Sequence, residues 1–403
     1  MADDRLSSVG PAVKPERFPW LAILGIFAVS RVVTTTIMLW FADRQPANAW
    51  TAAKPGYIDF AQMWDGNWYL IVAAIGYPSE LPSNEQGNVT ENAWAFMPVY
   101  PFLVRIIMAI TGGSFGVVAV AVSVFFALAT ALMFFKLMAL VLDRNQALFA
   151  VALLCFAPLS PIMQVAYAES THMFLLTVAL YLLLQRRYYT LIPIIAVMAL
   201  TRPSGLAFAL ALGLHVIYRW VVRVRDPFSG RERVASITAA VFSAVAGFSW
   251  LLIAWAVTGS FTAYTDTELA WRSDYVGYGA LIPFEPWLQG AAFWMSQPNG
   301  HIIVSLAALV LVAIVVVIAS PLSRRLGVDL RLWGASYLLY LLAVFFPQSS
   351  TFRLFVPLFP LLGALALPQS LAYRASVLVA AIAGQVAWIH VAYWVDGYDW
   401  TPP

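Results

Sequence analysis

Long apolar runs, broken at a few places by charged, proline or glycine residues, set the pattern of this chain. The runs 19–42, 115–141, 146–163, 168–185, 188–200, 203–222, 235–258, 301–321, 331–347, 353–368 and 374–395 each read as a helical span, since about 20 apolar residues of helix cross the roughly 30 Å of bilayer hydrocarbon. The pattern predicts an all-α polytopic membrane protein with about eleven transmembrane helices. Residues 1–18 are polar, and no small-residue cleavage site follows, so the run from Phe18 to Phe41 reads as a retained first span. Ala95 to Thr111 is also apolar enough to span. Its two prolines, Pro98 and Pro101, and its mid-run Arg105 suit a helix lying in the membrane interface better.

Composition agrees with this division. Hydrophobic residues make up 62% of the 403 and charged residues 11%, with a mean hydropathy of +0.79, against about a quarter charged in a soluble domain. Such a chain cannot cover a water-facing surface. The 16 Trp and 17 Tyr fit the aromatic belts of the two interfaces. A single cysteine, Cys155, lies in the run Leu153-Leu154-Cys155-Phe156, which excludes an internal disulfide and a cysteine metal cluster. No repeat or low-complexity tract is present, and residues 1–403 read as one transmembrane domain.

The net charge of +3 matters less than where the charges fall. With the N-terminus inside, Arg144, Arg186, Arg187, the cluster Arg219, Arg223, Arg225, Arg231 and Arg233, then Arg324, Arg325 and Arg374 are all cytoplasmic, as the positive-inside rule requires. Counting residues 95–111 as a span would put much of that cluster outside. The expectation is therefore a large first extracytoplasmic loop, 43–114, carrying amphipathic helices, and a second long outer loop at 259–300. The chemistry is expected on that side.

Within the first loop, Tyr57-Ile-Asp59-Phe-Ala-Gln-Met-Trp64-Asp65-Gly-Asn67-Trp68-Tyr69 sets two carboxylates among aromatics. On a helix, Asp65 shares a face with Trp68 and Tyr69. Acid beside aromatic is the composition of a sugar site; an interfacial helix anchored by Trp and Tyr is the plainer alternative. Glu169, in Ala166-Tyr-Ala-Glu-Ser-Thr-His172, stands at the outer start of a span, where an ionisable group is costly and is a functional candidate. His172 lies on the same face and could simply hydrogen-bond it. The run 191–218 is interrupted once, by Thr201-Arg202-Pro203-Ser204-Gly205. The crossing before it has only about 13 residues, near 20 Å of helix. This turn is therefore sunk below the outer surface, where irregular backbone survives only around a cavity or inside protein. Arg353 repeats the arrangement, between Pro347 and the short run Leu354 to Pro360.

Two buried outer arginines suit the phosphate of a lipid, which their planar forks can bind bidentately. Carbonyl bonds, or ion pairs with Glu169 or Asp65, are the alternative. No Walker or Rossmann glycine loop and no HExxH or close His/Cys set occurs, which removes support from nucleotide-driven transport and zinc chemistry. Asn88-Val-Thr90 matches a glycosylation sequon, a weak pattern. Arg31, inside the first span, has no partner nameable from sequence.

Met63-Trp-Asp-Gly-Asn-Trp-Tyr69, Ile75-Gly-Tyr-Pro78, Ala95-Phe-Met-Pro-Val-Tyr-Pro-Phe102, Ala166-Tyr-Ala-Glu-Ser170 and Leu200-Thr-Arg-Pro-Ser-Gly205 together resemble PIG-V-like mannosyltransferases, the family of the second mannosyltransferase of GPI synthesis and its bacterial relatives. The match covers most of residues 57–206; in the C-terminal half only Phe352 to Pro360 matches. The resemblance implies a GT-C glycosyltransferase fold and transfer of mannose from a polyprenyl-phosphate carrier to a lipid-linked or glycolipid acceptor, with inversion, on the extracytoplasmic face. It implies Asp65 as general base, Glu169 as an acid that orients the acceptor or supports the base, and Arg202 and Arg353 on the carrier phosphate. Asp59, Trp64, Trp68, Tyr69 and His172 are then expected around the sugars. No cofactor, obligatory metal or nucleic acid is implied, and a bacterial member would sit in the plasma membrane. Glu169-Ser-Thr-His172 departs from the bulky apolar residues that often follow the acid in relatives. A secondary transporter or lipid flippase is the competing reading, weakened by the absence of matching interrupted segments in the two halves.

Overall fold

The computed structural model describes residues 17–298, 300–348 and 350–395, apart from the side chain of residue 303; the polar start of the chain and residues 396–403 lie outside the described residues. The described chain is helical, with one isolated bridge between Ser83 and Val89. The helices are α1 (Trp20–Ala42), α2 (Tyr57–Ala61), α3 (Asp65–Ile75), α4 (Val99–Thr111), α5 (Phe115–Met138), α6 (Arg144–Phe156), α7 (Glu169–Leu184), α8 (Tyr188–Ala199), α9 (Gly205–Val221), α10 (Gly230–Thr258), α11 (Ala263–Ala270), α12 (Ser273–Val276), α13 (Glu285–Met295), α14 (Gly300–Ala319), α15 (Val328–Val344), α16 (Thr351–Leu354), α17 (Leu362–Leu365) and α18 (Leu371–Trp388).

Five of these segments are long and apolar enough to cross a membrane: α1, α5, α10, α14 and α18 with its continuation to Tyr393. They make the chain a multi-pass membrane protein. Most remaining apolar runs form helices of 12 to 17 residues, about 18 to 26 Å at 1.5 Å per residue, short of a full crossing. Two expected spans are not continuous helices. Residues 146–163 stop being α-helical at Phe156, before Pro158 and Pro161, and resume as a 3₁₀ turn, Ser160–Gln164. Residues 353–368 break into α16, the 3₁₀ segment Val356–Leu361 holding Pro357 and Pro360, and α17. Proline removes a backbone donor and clashes with the preceding turn, so each break falls where the sequence dictates.

Breaks inside an apolar medium need partners for the freed carbonyls. Arg31 supplies them at the first break. Its guanidinium donates to the Cys155 carbonyl at 2.7 Å, the Ser160 carbonyl at 3.1 Å and Gln164 Oε1 at 2.9 Å. The charge that had no partner in the sequence is thus the cap of a broken helix fifth in line behind it.

Helix α7 is buried on nearly every side, packed between α5 and α8. Helix α9 lies against α10 and α15. The α9–α10 approach is close: a Cβ on Gly205 would stand 2.7 Å from Gly247 Cα, and one on Gly247 would stand 2.8 Å from the Leu206 amide nitrogen. Only glycine fits there, and the contact fixes where the turn before Gly205 sits. Residues 95–111 form α4, which buries Tyr100, Pro101 and Val104 against α3 and α5 and leaves Ile106 and Ile110 exposed. It closes on Gly112 in the left-handed conformation.

Candidate active site

Four charged side chains from four separate segments meet at one place. Asp65 opens α3, Glu169 opens α7, Arg202 lies in the turn between α8 and α9, and Arg353 lies in α16. Arg353 Nη1 hydrogen-bonds Asp65 Oδ2. Arg202 Nη1 donates to Glu169 Oε1 at 2.7 Å, and Arg353 Nε stands 3.7 Å from that same oxygen. Ion pairing, the alternative use of these arginines, is therefore what the structure contains. The cluster is formally neutral, with two carboxylates and two guanidiniums. It is also under-bonded: Glu169 Oε2 and Arg353 Nε are buried with no hydrogen-bond partner. Buried polar atoms without a partner are uncommon in folded proteins.

Local backbone chemistry explains each position. Trp64 takes φ +60°, ψ −123°, a conformation costly for a bulky L-residue. It is held by the Trp50 ring at 4.3 Å and by Nε1 donating to the Tyr393 carbonyl at 2.9 Å. This kink turns Asp65 inward as α3 begins. The amide of Ala166 donates to the Ala61 carbonyl at 2.9 Å, tying the Asp65 segment to the Glu169 segment. Arg202 sits where α8 has run out after 12 residues and before Gly205 meets α10. His172 Nε2 and Ser204 Oγ, 2.7 Å apart, pin that turn to α7. Arg353 also lies over the Tyr167 ring at 5.5 Å.

The cluster borders a cavity of about 420 Å³, lined among others by Asp65, Tyr69, Phe96, His172, Arg202 and Arg353. That is within the usual range of small-ligand sites, about 300 to 1,000 Å³. Glu169 stands just behind its wall, 3% exposed. The remaining expected site residues lie elsewhere. Asp59 is exposed on α2, Trp64 is buried in the Trp50–Tyr393 contact, and Trp68 stacks on Phe96 at 5.5 Å, with Phe96 the ring that reaches the lining. No site residue was expected in the segment 259–300. Glu268, Trp271 and Arg272, together with Tyr264 and the α15 residues Tyr337 and Tyr340, line the same cavity. Tyr264-x-x-x-Glu268-x-x-Trp271 has the acid-among-aromatics composition that singled out Asp65, and could have been found the same way.

A second, wholly different cavity adjoins. It holds about 640 Å³ and is lined by apolar side chains of α6, α7, α14, α18 and the 3₁₀ segments between them, including Leu154, Met163, Ile314, Val317, Leu358 and Trp388. The segment carrying Arg353 is shared by both: Phe352 and Phe355 face the apolar groove, while Arg353 and Leu354 face the polar cavity. Among the described residues no three His, Cys, Asp or Glu side chains gather as a metal site.

This is the site of a multi-pass helical membrane protein with a buried, paired set of charges at the edge of a cavity. No protein-family model matches the sequence, and no curated protein matches it. Among solved structures the chain is similar to the oligosaccharyltransferase of Archaeoglobus fulgidus, crystallised with a tethered acceptor peptide. The identity is 11% and the TM-score 0.43, over 96% of this chain and 56% of that one. The chain thus spans little more than half the length of that enzyme.

Proposed function

We propose that the chain is an integral membrane glycosyltransferase of the GT-C type. It would transfer mannose from polyprenyl-phosphate-mannose to a lipid-linked or glycolipid acceptor on the extracytoplasmic face, with inversion. The observation that carries this reading is the shared wall. A lipid-phosphate-sugar has a long apolar tail, an anionic centre and a polar head. Phe352 and Phe355 lie on a greasy groove and Arg353 on a charged cavity, so one segment offers an apolar surface for the tail and a cation for the phosphate.

The chemistry follows from the pairing. A sugar hydroxyl is a poor nucleophile near neutral pH, and a positioned carboxylate that takes its proton helps the transition state. Asp65 is assigned that role, with Glu169 supporting it through the shared Arg353. In the structure Asp65 is paired with Arg353. The donor phosphodiester carries one negative charge and competes for Arg202 and Arg353, drawing them from the carboxylates. As the acceptor oxygen bonds to the anomeric carbon, its proton passes to Asp65. The bond from that carbon to the phosphate oxygen breaks, and the electron pair leaves with the lipid phosphate, which becomes a dianion. Negative charge thus moves from Asp65 to the phosphate while both stay within reach of Arg353. Fixed guanidiniums stabilise such a transfer best in a partly dry site.

The test uses the full-length protein and Asp65→Asn in nanodiscs, with radiolabelled polyprenyl-phosphate-mannose and a membrane lipid extract. Labelled glycolipid from the wild type and none from an equally stable Asp65→Asn is the expected result. Equal activity in both would move the base to another carboxylate. No transfer by the wild type from mannose, glucose or arabinose carriers would sink the enzyme reading in favour of a transporter or flippase.

A further inference from the structure

Two carboxylates face the polar cavity, and they are not equivalent. Asp65 is bound to Arg353. Glu268, on α11 of the second outer loop, forms no salt bridge among the described residues; Tyr264, one turn back on the same helix, is the hydroxyl that bears on it. Helix α11 is firmly placed. Its buried face carries Ala263, Thr267 and Ala270, and Asn92 Nδ2 donates to Thr267 Oγ1 at 2.9 Å. Asn92 Oδ1 in turn accepts from the Trp94 amide at 3.0 Å, and the Trp94 carbonyl accepts from Trp250 Nε1 at 2.9 Å. This network rivets the second outer loop to the first. Glu268 lies on the opposite face of the same short helix, which presents it to the cavity beside Tyr264, Trp271 and Tyr340.

A carboxylate on a firmly placed helix, in salt-bridge contact with no arginine and set among aromatic side chains, has one obvious ligand chemistry. Ionised, it accepts hydrogen bonds from hydroxyls, while the rings cover the apolar faces of a sugar. It repels an anionic headgroup. We propose that Glu268 is an acceptor-binding residue, which takes hydroxyl hydrogen bonds from an uncharged sugar or polyol headgroup and sets that headgroup beside Asp65. This rests on the glycosyl-transfer reading above and specifies the acceptor end of that site.

The electrostatics around Glu268 give the proposal a pH signature. The groups interacting with it are Tyr264 on its own helix, Arg202 from the α8–α9 turn, Asp65 from α3 and Tyr340 from α15. Glu268 is exposed where it faces the cavity, and desolvation by the protein around that cavity pushes it up to about 7; the Tyr264 hydroxyl and the charge of Arg202 oppose the rise only in part. The ionised form, the better hydrogen-bond acceptor, therefore predominates above about pH 7 and is lost below it. Acceptor binding should weaken as pH falls through that value.

The experiment is a steady-state assay of full-length protein in nanodiscs with polyprenyl-phosphate-mannose as donor. Octyl mannoside and octyl glucoside serve as uncharged acceptors and phosphatidylinositol as an anionic one. Glu268→Ala should raise the KM for the octyl glycosides roughly ten- to hundredfold, the worth of a lost charge-assisted hydrogen bond. Its kcat should stay within about threefold, a small change on that scale. Glu268→Gln, of the same shape, should fall between. Polyprenyl-phosphate binding should be unchanged in both, which also reports that they are folded. The wild-type KM should climb on acidification through neutrality and that of Glu268→Ala should not. An unchanged KM, or a collapse of kcat at constant KM, overturns the proposal, as does a wild type that uses phosphatidylinositol and refuses the uncharged glycosides. A wild type that transfers to no acceptor from any carrier removes the glycosyl-transfer reading itself, a separate result.

Discussion

Helix α9 joins two ionic clusters that look alike on paper and differ in kind. At its start, Arg202 meets Glu169, with Arg353 and Asp65 alongside. About 20 Å further along the helix, Arg219 bonds Asp226 and donates to Glu232 at 3.1 Å, and Asp226 also holds Arg186. Tyr188 donates to Glu232 at 3.1 Å and lies 2.9 Å from His215, whose other ring nitrogen is 2.6 Å from Asp329. The second cluster is the more fully bonded: Arg219 spends each of its three nitrogens on a named acceptor. The first leaves Arg353 Nε and Glu169 Oε2 unpartnered and opens on a cavity, whereas none of the second cluster's residues lines either cavity. Buried charge alone is thus no mark of function; unspent hydrogen-bonding capacity beside open space is the better one.

Mutations can break that contrast. The largest effect is expected at Arg353→Ala, which should cut transfer about a hundred- to thousandfold, the cost of losing one fixed donor to developing charge. The readout is turnover per folded molecule. Arg219→Ala should do the reverse, leaving turnover per folded molecule intact and lowering stability by about 2 kcal/mol, the worth of charge-assisted hydrogen bonds such as those to Glu232. Thermal unfolding in nanodiscs measures it, and a loss of turnover without a loss of stability would contradict the distinction. Glu169→Gln should bind polyprenyl phosphate about tenfold more tightly, because Arg202 is no longer shared, while transferring sugar more slowly; titration calorimetry decides. The smallest effect is expected at Tyr188→Phe, about 1 kcal/mol of stability for one hydroxyl's hydrogen bonds, with no change in transfer.

Much of this was legible in the sequence, for a physical reason. In an apolar chain a charge, a proline or a glycine is expensive, so Arg202-Pro203 announces where a helix stops, whereas the breaks at Pro158, Pro161, Pro357 and Pro360 fall inside runs that read as continuous spans. Glu169 and Arg353 stand out for the same reason. What could not be read is which charge meets which, since Asp65 and Arg353 are 288 residues apart and their pairing depends on how α3, α7 and α16 converge. Nor could the facing of the aromatics be read. An uninterrupted helix through Asp65 would keep Trp64 in register with its neighbours, but the left-handed turn at Trp64 resets the register. Tyr69 then reaches the cavity and Trp64 does not. Glu268 stands in an acid-among-aromatics stretch like that of Asp65, but nothing in the stretch itself tells which cavity it faces. Its place becomes meaningful only once Asn92 and Thr267 are seen to hold α11 to the first loop.

The arginine in α1 has a consequence for how the protein is made. Its three carbonyl and amide acceptors lie between 124 and 133 residues downstream. At about 5 to 20 residues per second of synthesis, the first span waits on the order of ten seconds for them. During that time it carries an uncompensated charge that costs about 3 kcal/mol at the centre of a helix entering the bilayer. The first helix is therefore poised to linger at the insertion machinery until α6 arrives, which makes docking of these two segments an early committed step of biogenesis. Arg31→Leu should insert its first helix faster, seen as earlier membrane protection in a timed translation series, and then leave the α6 break short of its hydrogen bonds. An unchanged insertion time would remove the idea.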